Sequence, residues 1–328
     1  MNKNMLKHFL LALATILTIS TQAQPDSIFI QKIDSLRKQQ AYGQIIENIE
    51  VASASDTHKL WYSYQLACYH SLNKQFNQAF HLLNKAINQG AKGEDVLSDT
   101  DFELLYPHAQ WSEFKDQLDS LFLSDYPGIT HPQLALELWH SGIKDQQFRT
   151  LSKNFKKEFP PKGTKQYDSL QAKNTKAWHE RTNRVLEIIK KHGWPGYTMV
   201  GADASEAAFL VMQHGGIKPM RKAYRRLKKA AKAGEASMKD YALMCDRNRV
   251  LARLDIFKRK QIYGTQVTGK PIIVNGKPKV VNGKMQFKYR LAPLKKPEEV
   301  NKRREEVGLP PIQEYLKKWD IDFNVPQE

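Results

Sequence analysis

Cysteine is almost absent: Cys68 and Cys245 are the only two in 328 residues. Each sits among apolar neighbours in a helical pattern, far from the other in sequence, and reads as a buried free thiol. Two cysteines are also too few for a structural zinc site. Long apolar runs are lacking as well. Phe9 to Ile19 falls short of the ~20 residues that span a bilayer. With Lys3 and Lys7 before it and Thr21-Gln22-Ala23 after it, it reads as a secretory signal peptide over residues 1–23. Cleavage near Ala23 leaves a periplasmic or secreted chain with no transmembrane segment. Several catalytic signatures fail too. Gly264 to Lys270 has the spacing of a phosphate-binding loop, but Pro271 and a strand follow where a hydroxyl and a helix are needed. His179-Glu180 has Asn183 where a zinc-protease motif needs its second histidine. No nucleophile elbow and no dinucleotide glycine pattern occur, and no cofactor is expected.

Basic residues are in excess, 51 Lys and Arg against 34 Asp and Glu. Without Lys3 and Lys7 the balance is 49 to 34, a net charge of +15. For an exported chain this favours anionic polysaccharide, phospholipid head groups or an acidic protein over nucleic acid, and no nucleic acid partner is expected. A basic surface with no partner is the plainer account of the charge. An apolar fraction of 41% with 10% aromatics suits a globular protein.

The first half of the chain is patterned for helices. Ile28, Ile30, Ile33 and Leu36 mark one amphipathic face, and Ile45, Ile46 and Ile49 mark a second. From Leu60 to Gly90, Leu66-Ala67 falls on one helix and Ala79, Leu83 and Ala86 on the next. Those small residues let two antiparallel helices approach closely. This segment resembles a tetratricopeptide repeat, with His70 and Ser63 where that family prefers larger aromatics. A single repeat cannot bury its own faces, so neighbouring helices must cap it. The resemblance implies a surface for a protein partner; docking onto the rest of the chain is the alternative.

Tyr126-Pro127-Gly128-Ile129-Thr130-His131-Pro132 breaks the pattern and sets the domain boundary, with a helical region over 25–126 and a second domain over 130–320. Helices are expected over 134–155, 167–192, 204–214, 218–233 and 238–254. Val274-Asn275-Gly276-Lys277 then recurs seven residues later as Val281-Asn282-Gly283-Lys284. Asn-Gly favours a tight hairpin turn, so strands are expected near 265–267, 272–274 and 285–291. The fold class is therefore mainly α: N-terminal tetratricopeptide-like helical hairpins, then an α-helical domain with a small antiparallel β-hairpin element near 265–291.

Polar residues stand out in this second domain. Asp145, Gln146 and Arg149 share one or two turns of a helix, where an ordinary exposed ion pair is the plain alternative. Arg247 falls among Leu243, Val250 and Leu254, and Asp246 borders the same stripe. A charge there must be paired, either as a buried strut holding the loop after Tyr263 or as the wall of an anion pocket. Gln213 and His214 close an apolar helix before Gly215-Gly216, where a protonated histidine also gains from the helix dipole. Tyr263-Gly264-Thr265-Gln266 forms a polar turn into the first strand. Asp145-Gln146-x-x-Arg149, His192-Gly193-Trp194-Pro195, Gly201, Gln213-His214, Asp246-Arg247, Tyr263-Gly264-Thr265-Gln266 and Arg303-Arg304 before Gly308-Leu309 follow one another in an order that resembles the uncharacterised bacterial "domain of unknown function 6624" family, over about residues 134–315. The resemblance carries no activity, and Val280 to Leu291 is an extension relative to shorter members.

Three function classes follow. The first is an exported binding protein whose second domain holds a small anionic ligand, through Gln146, Arg149, Gln213, Arg247, Tyr263, Thr265 and Gln266. The second is a hydrolase or transferase acting on an anionic cell-envelope substrate, with His214 as general base and Asp145 or Asp246 orienting it. The third is attachment to an acidic surface through the basic helix 218–232. No metal ligand set is found.

Overall fold

The computed structural model describes residues 26–54, 59–154, 163–251, 260–281 and 284–327; the signal-peptide segment and the Arg149 side chain lie outside the described residues. Two compact units are formed. Of the described residues, one takes in those from Asp26 to Gly128 together with those of Ile143–Tyr167, the other those of Ile129–Gly142 and of Asp168–Glu328.

The first unit begins with α1 (Ser27–Lys38), α2 (Tyr42–Ser53), α3 (Lys59–Leu72) and α4 (Phe76–Asn88), followed by α5 (Gly93–Ser98), a 3-10 turn at Thr100–Leu105 and α6 (Ala109–Ser124). Consecutive helices pair as hairpins, with α3 packed on both α2 and α4. Ala67, Ala79 and Ala86 are fully buried where α3 and α4 meet, and Leu83 fills the seam. Gly90, at φ +99°, ends α4, and the Ala91 amide reaches back to Ala86 at 2.9 Å. A polar knot closes this unit. Arg37 donates to Asp101 at 2.7 Å, Tyr64 to Asp99 at 3.0 Å, and Ser71 to the Asp101 carbonyl at 2.7 Å.

The second unit is built from α7 (Pro132–Asn154), of which residues up to Gly142 belong here, α8 (Lys165–His192), α9 (Tyr197–Val200), α10 (Ala202–His214), α11 (Ile217–Lys232) and α12 (Met238–Leu251). α10 is small-residue rich, burying Ala204, Ala207 and Ala208. That composition allows an unusually close crossing: a Cβ added to Gly142 on α7 would sit 2.6 Å from Ala207 Cβ. α11 buries Met220, Ala223, Leu227 and Ala231, spaced as one stripe, and turns its lysines and arginines outward. It packs against α12.

Among the described residues, six short strands follow: β1 (Val267–Pro271), β2 (Ile273–Val274), β3 (Lys277–Pro278), β4 (Val280–Val281), β5 (Lys284–Met285) and β6 (Phe287–Leu291). They make three two-stranded antiparallel ladders, β1–β6, β2–β3 and β4–β5. Asn275 and Gly276, at φ +49° and +74°, form the tight turn that Asn-Gly predicts. The ladders meet at a ring of hydrogen bonds among three residues spaced seven apart in sequence. Ile272 N donates to Gln286 O at 2.9 Å, Gln286 N to Lys279 O at 2.8 Å, and Lys279 N to Ile272 O at 2.7 Å. The seven-residue repeat thus builds a three-armed element. Its stem packs on α13 (Val300–Glu305) and α14 (Ile312–Lys317), in a core of Val267, Leu294, Val300, Ile312 and Leu316. Expected strand residues Thr265 and Gln266 are not in a ladder, because their polar groups are engaged elsewhere.

Candidate functional site

The Tyr263-Gly264-Thr265-Gln266 turn is gripped from both sides. On one side Asp246, with no exposed surface, accepts from the amides of Ile262 (2.7 Å), Tyr263 (3.1 Å) and Thr265 (3.0 Å) and from the Thr265 hydroxyl (3.1 Å). On the other, Arg303 Nε donates to the Ile262 carbonyl at 2.9 Å, Arg304 to that of Tyr263 at 2.6 Å, and the Tyr315 hydroxyl to that of Thr265 at 2.7 Å. Gln261, also fully buried, receives the Gln266 amide and donates to the Gln266 and Ala292 carbonyls. Gly264 sits at φ +69°, with Ile312 Cδ1 only 2.5 Å from where a Cβ would stand. Burial pushes the Asp246 carboxyl up, and the three amides and the hydroxyl push it back. Burial likewise lowers the Arg304 guanidinium. A carboxylate has about four lone-pair positions, and the turn fills those of Asp246.

The helical pattern around Leu243, Val250 and Leu254 places Arg247 in the apolar stripe. The structure corrects this. Tyr241, Ala242, Met244, Cys245 and Asp246 are the buried residues of α12, whereas Leu243, Arg247 and Val250 are half-buried. Asp246 is a strut that holds the turn.

Other candidate residues are distributed as follows. Gln213 is buried and His214 half-buried in the last turn of α10. Gln213 Oε1 is a buried acceptor without a hydrogen-bond partner, as is Thr182 Oγ1 on α8. α8 passes the end of α10 closely: a Cβ on Gly215 would lie 2.9 Å from Thr182 Cγ2. Asp145 is buried, with the Gln146 amide donating to it at 3.2 Å, and both belong to the part of α7 that lies in the first unit. Arg149 is on the same stretch of helix. Thr265 and Gln266 are buried and committed to the turn.

A cationic cleft, of which sequence patterning shows only the basic helix, lies between α8, α11 and α12. It has a volume of about 900 Å³ and is lined by Lys190, Arg221, Lys222, Arg225, Arg226 and Arg249, against one acidic residue, Glu187. Glu187 already lies 3.4 Å from Arg184. Among the described residues, no carboxylate lies within 4.0 Å of Lys190, Lys222, Arg225 or Arg226. Neutral polar groups, Asn183 and Asn248, complete the lining, and Asn248 Oδ1 has no hydrogen-bond partner. A second cleft of about 770 Å³ shares Arg225 and Arg226 as a common ridge and adds Lys229, His192, Trp194 and Thr198, with Glu235 as its one acidic residue. The His192-Gly193-Trp194 segment therefore borders a cleft, while the Trp194 indole is anchored inward on Ser205 at 3.0 Å.

A row of tyrosines joins the cleft to the gripped turn. Tyr224 lines the cleft and stacks on Tyr241 with centroids 5.7 Å apart; Tyr241 meets Tyr263 edge-on at 6.3 Å. The Tyr224 hydroxyl is 3.3 Å from that of Tyr241 and 3.5 Å from Cys245 Sγ. Burial pushes the Tyr224 phenol up to about 12 and raises Tyr241, Tyr263 and Cys245 as well, so all four remain uncharged at neutral pH. The gripped turn thus acts as a fixed abutment behind the cleft wall.

In the first unit the Cys68 thiol and the Asp99 and Asp101 carboxylates come within 4.8 Å of one another. Arg37 and Tyr64 already supply their donors, so the cluster reads as part of the knot that holds α1, α3 and the 3-10 turn together.

Fold and site together define a mainly helical protein with a cationic double cleft braced by a buried polar turn, and no helix of the described residues is long and apolar enough to cross a membrane. The chain belongs to the Family of unknown function (DUF6624), whose model matches residues 132–325. That match does not extend over the N-terminal helical hairpins. No curated protein and no solved structure matches the chain.

Proposed function

We propose that this is an exported binding protein whose second unit captures an anionic ligand with several negative groups, seated in the cleft between α8, α11 and α12 and crossing the Arg225-Arg226 ridge. The observation that carries the reading is the charge imbalance of the first cleft, six cationic side chains to one carboxylate that is already paired. Confined like charges repel, and an anion that neutralises them is held more firmly than at a flat surface. Arginine predominates over lysine here, and its planar fork suits carboxylate, sulfate and phosphate alike. Asn183 and Asn248 add directional contacts for a ligand that also carries hydroxyls. In this reading Arg225 and Arg226 replace Arg149, Arg247 and Gln266 as the principal ligand contacts. The basic helix contributes to a concave site instead of acting as a flat attachment surface.

The test is calorimetric titration of the mature chain with tripolyphosphate and with an oligogalacturonate, beside the Lys222→Glu variant. Binding that weakens about tenfold in the variant supports the reading. No heat from either probe, or equal affinity in both proteins, overturns it.

A further inference from the structure

Of the ten large apolar residues that stand exposed among the described residues, five fall within thirteen positions: Ile273, Val274, Val280, Val281 and Met285, each between 44% and 57% exposed. All five lie on the two small hairpins β2–β3 and β4–β5 that project from the three-way junction. None belongs to the core beneath, which takes Tyr289 and Leu291 from the stem instead. An apolar cluster of this kind on a soluble surface marks a contact site. Its surroundings have one sign of charge. Lys270, Lys277, Lys279, Lys288 and Arg290 are exposed around it, and from Asp255 to Glu298 the sequence holds no other acidic residue.

We propose that this three-armed element is a membrane-contact device, in which the exposed apolar side chains of β2, β4 and β5 enter the interface of an anionic lipid bilayer and the lysines engage its head groups. Two features favour lipid over a folded protein. The hairpins are two-residue strands with little backbone edge to offer a partner sheet, and their exposed apolar side chains, four β-branched and one methionine, include no aromatic anchor. Apolar side chains ringed by lysines match instead a surface that is apolar a few ångströms deep and negative at its face. The site is separate in sequence from the cationic cleft, so the two bindings stand or fall independently.

Co-sedimentation of the mature chain with vesicles tests this. Retention is expected on phosphatidylglycerol–phosphatidylcholine vesicles and little on phosphatidylcholine alone. The double variant Ile273→Ser/Val281→Ser keeps every charge and removes exposed side chains only; its retention should fall by at least ~tenfold with the melting temperature unchanged. Lys222→Glu, which alters the cleft, should leave the dependence on these side chains intact. Equal retention of the double variant and the parent overturns the proposal, as does failure of the parent to bind. Sedimentation velocity without lipid gives the remaining outcome: a dimer that the double variant dissolves would assign the face to a second copy and overturn lipid as the occupant.

Discussion

Replacing Asp246 by asparagine isolates what the gripped turn contributes. The carboxylate receives three backbone amides and one hydroxyl on its two oxygens, at 2.7–3.2 Å, with no exposed surface. Asparagine keeps the shape but presents an NH2 group to donors on one side. About two hydrogen bonds to a charged acceptor are lost, at roughly 1.5–3 kcal/mol each, and the easier burial of a neutral amide offsets part of that. A net loss near 3 kcal/mol is expected, or about 6–12 °C in the melting of a unit of this size. Asp246→Ala leaves all four donors bare and should lose more, on the order of 5 kcal/mol. Scanning calorimetry reads the transition of the second unit. Anion titration well below that transition should give near-parental affinity for Asp246→Asn, since the carboxylate acts through the fold. A variant that melts within a degree or two of the parent would refute the reasoning, and so would one that is stable but no longer binds.

Other consequences follow from single positions. Asp240 at the start of α12 is pushed up from 3.8 to about 7, chiefly by burial and then by Glu206, with Lys239 opposing. Between pH ~4 and 7 the folded chain therefore holds a proton that the unfolded chain releases. Stability should fall as pH rises through that window and level off above it, and urea unfolding of Asp240→Asn should show a flatter slope. Gly264→Ala meets both a positive φ and Ile312, and should lower stability by about 1–3 kcal/mol in the same assay. Arg304→Lys gives up the fork that bridges the Pro310 and Tyr263 carbonyls from a fully buried position; a loss of about 2–4 kcal/mol is expected from thermal unfolding, with no change in salt dependence because the group is dry.

The helices of the second unit were legible from apolar spacing, since α8, α10 and α11 are each bounded by capping glycines or charged turns that sequence alone displays. The first Asn-Gly pair announced its tight turn, while the second, Asn282-Gly283, lies outside the described residues; the junction of Ile272, Lys279 and Gln286 depends on backbone hydrogen bonds that any residue types would make. The signature residues were visible as oddities, and what they do was not. Asp246 and Thr265 are nineteen residues apart, and Arg304 stands a further thirty-nine beyond, so no local pattern pairs them. The cleft was partly legible. The basic face of α11 is plain in the sequence, yet a solvated helix would look the same. Lys190 and Arg249, which turn that face into a concave site, come from other helices, one before it in the sequence and one after.

Charge reversal of the ridge tests the central claim most directly. Oligogalacturonate titrated into the parent chain and into Arg225→Glu/Arg226→Glu, at low and at high salt, should show affinity falling by about a hundredfold in the variant at low salt, with the gap narrowing as salt screens it and the melting temperature unchanged. Equal affinity in the two proteins at low salt would contradict the account.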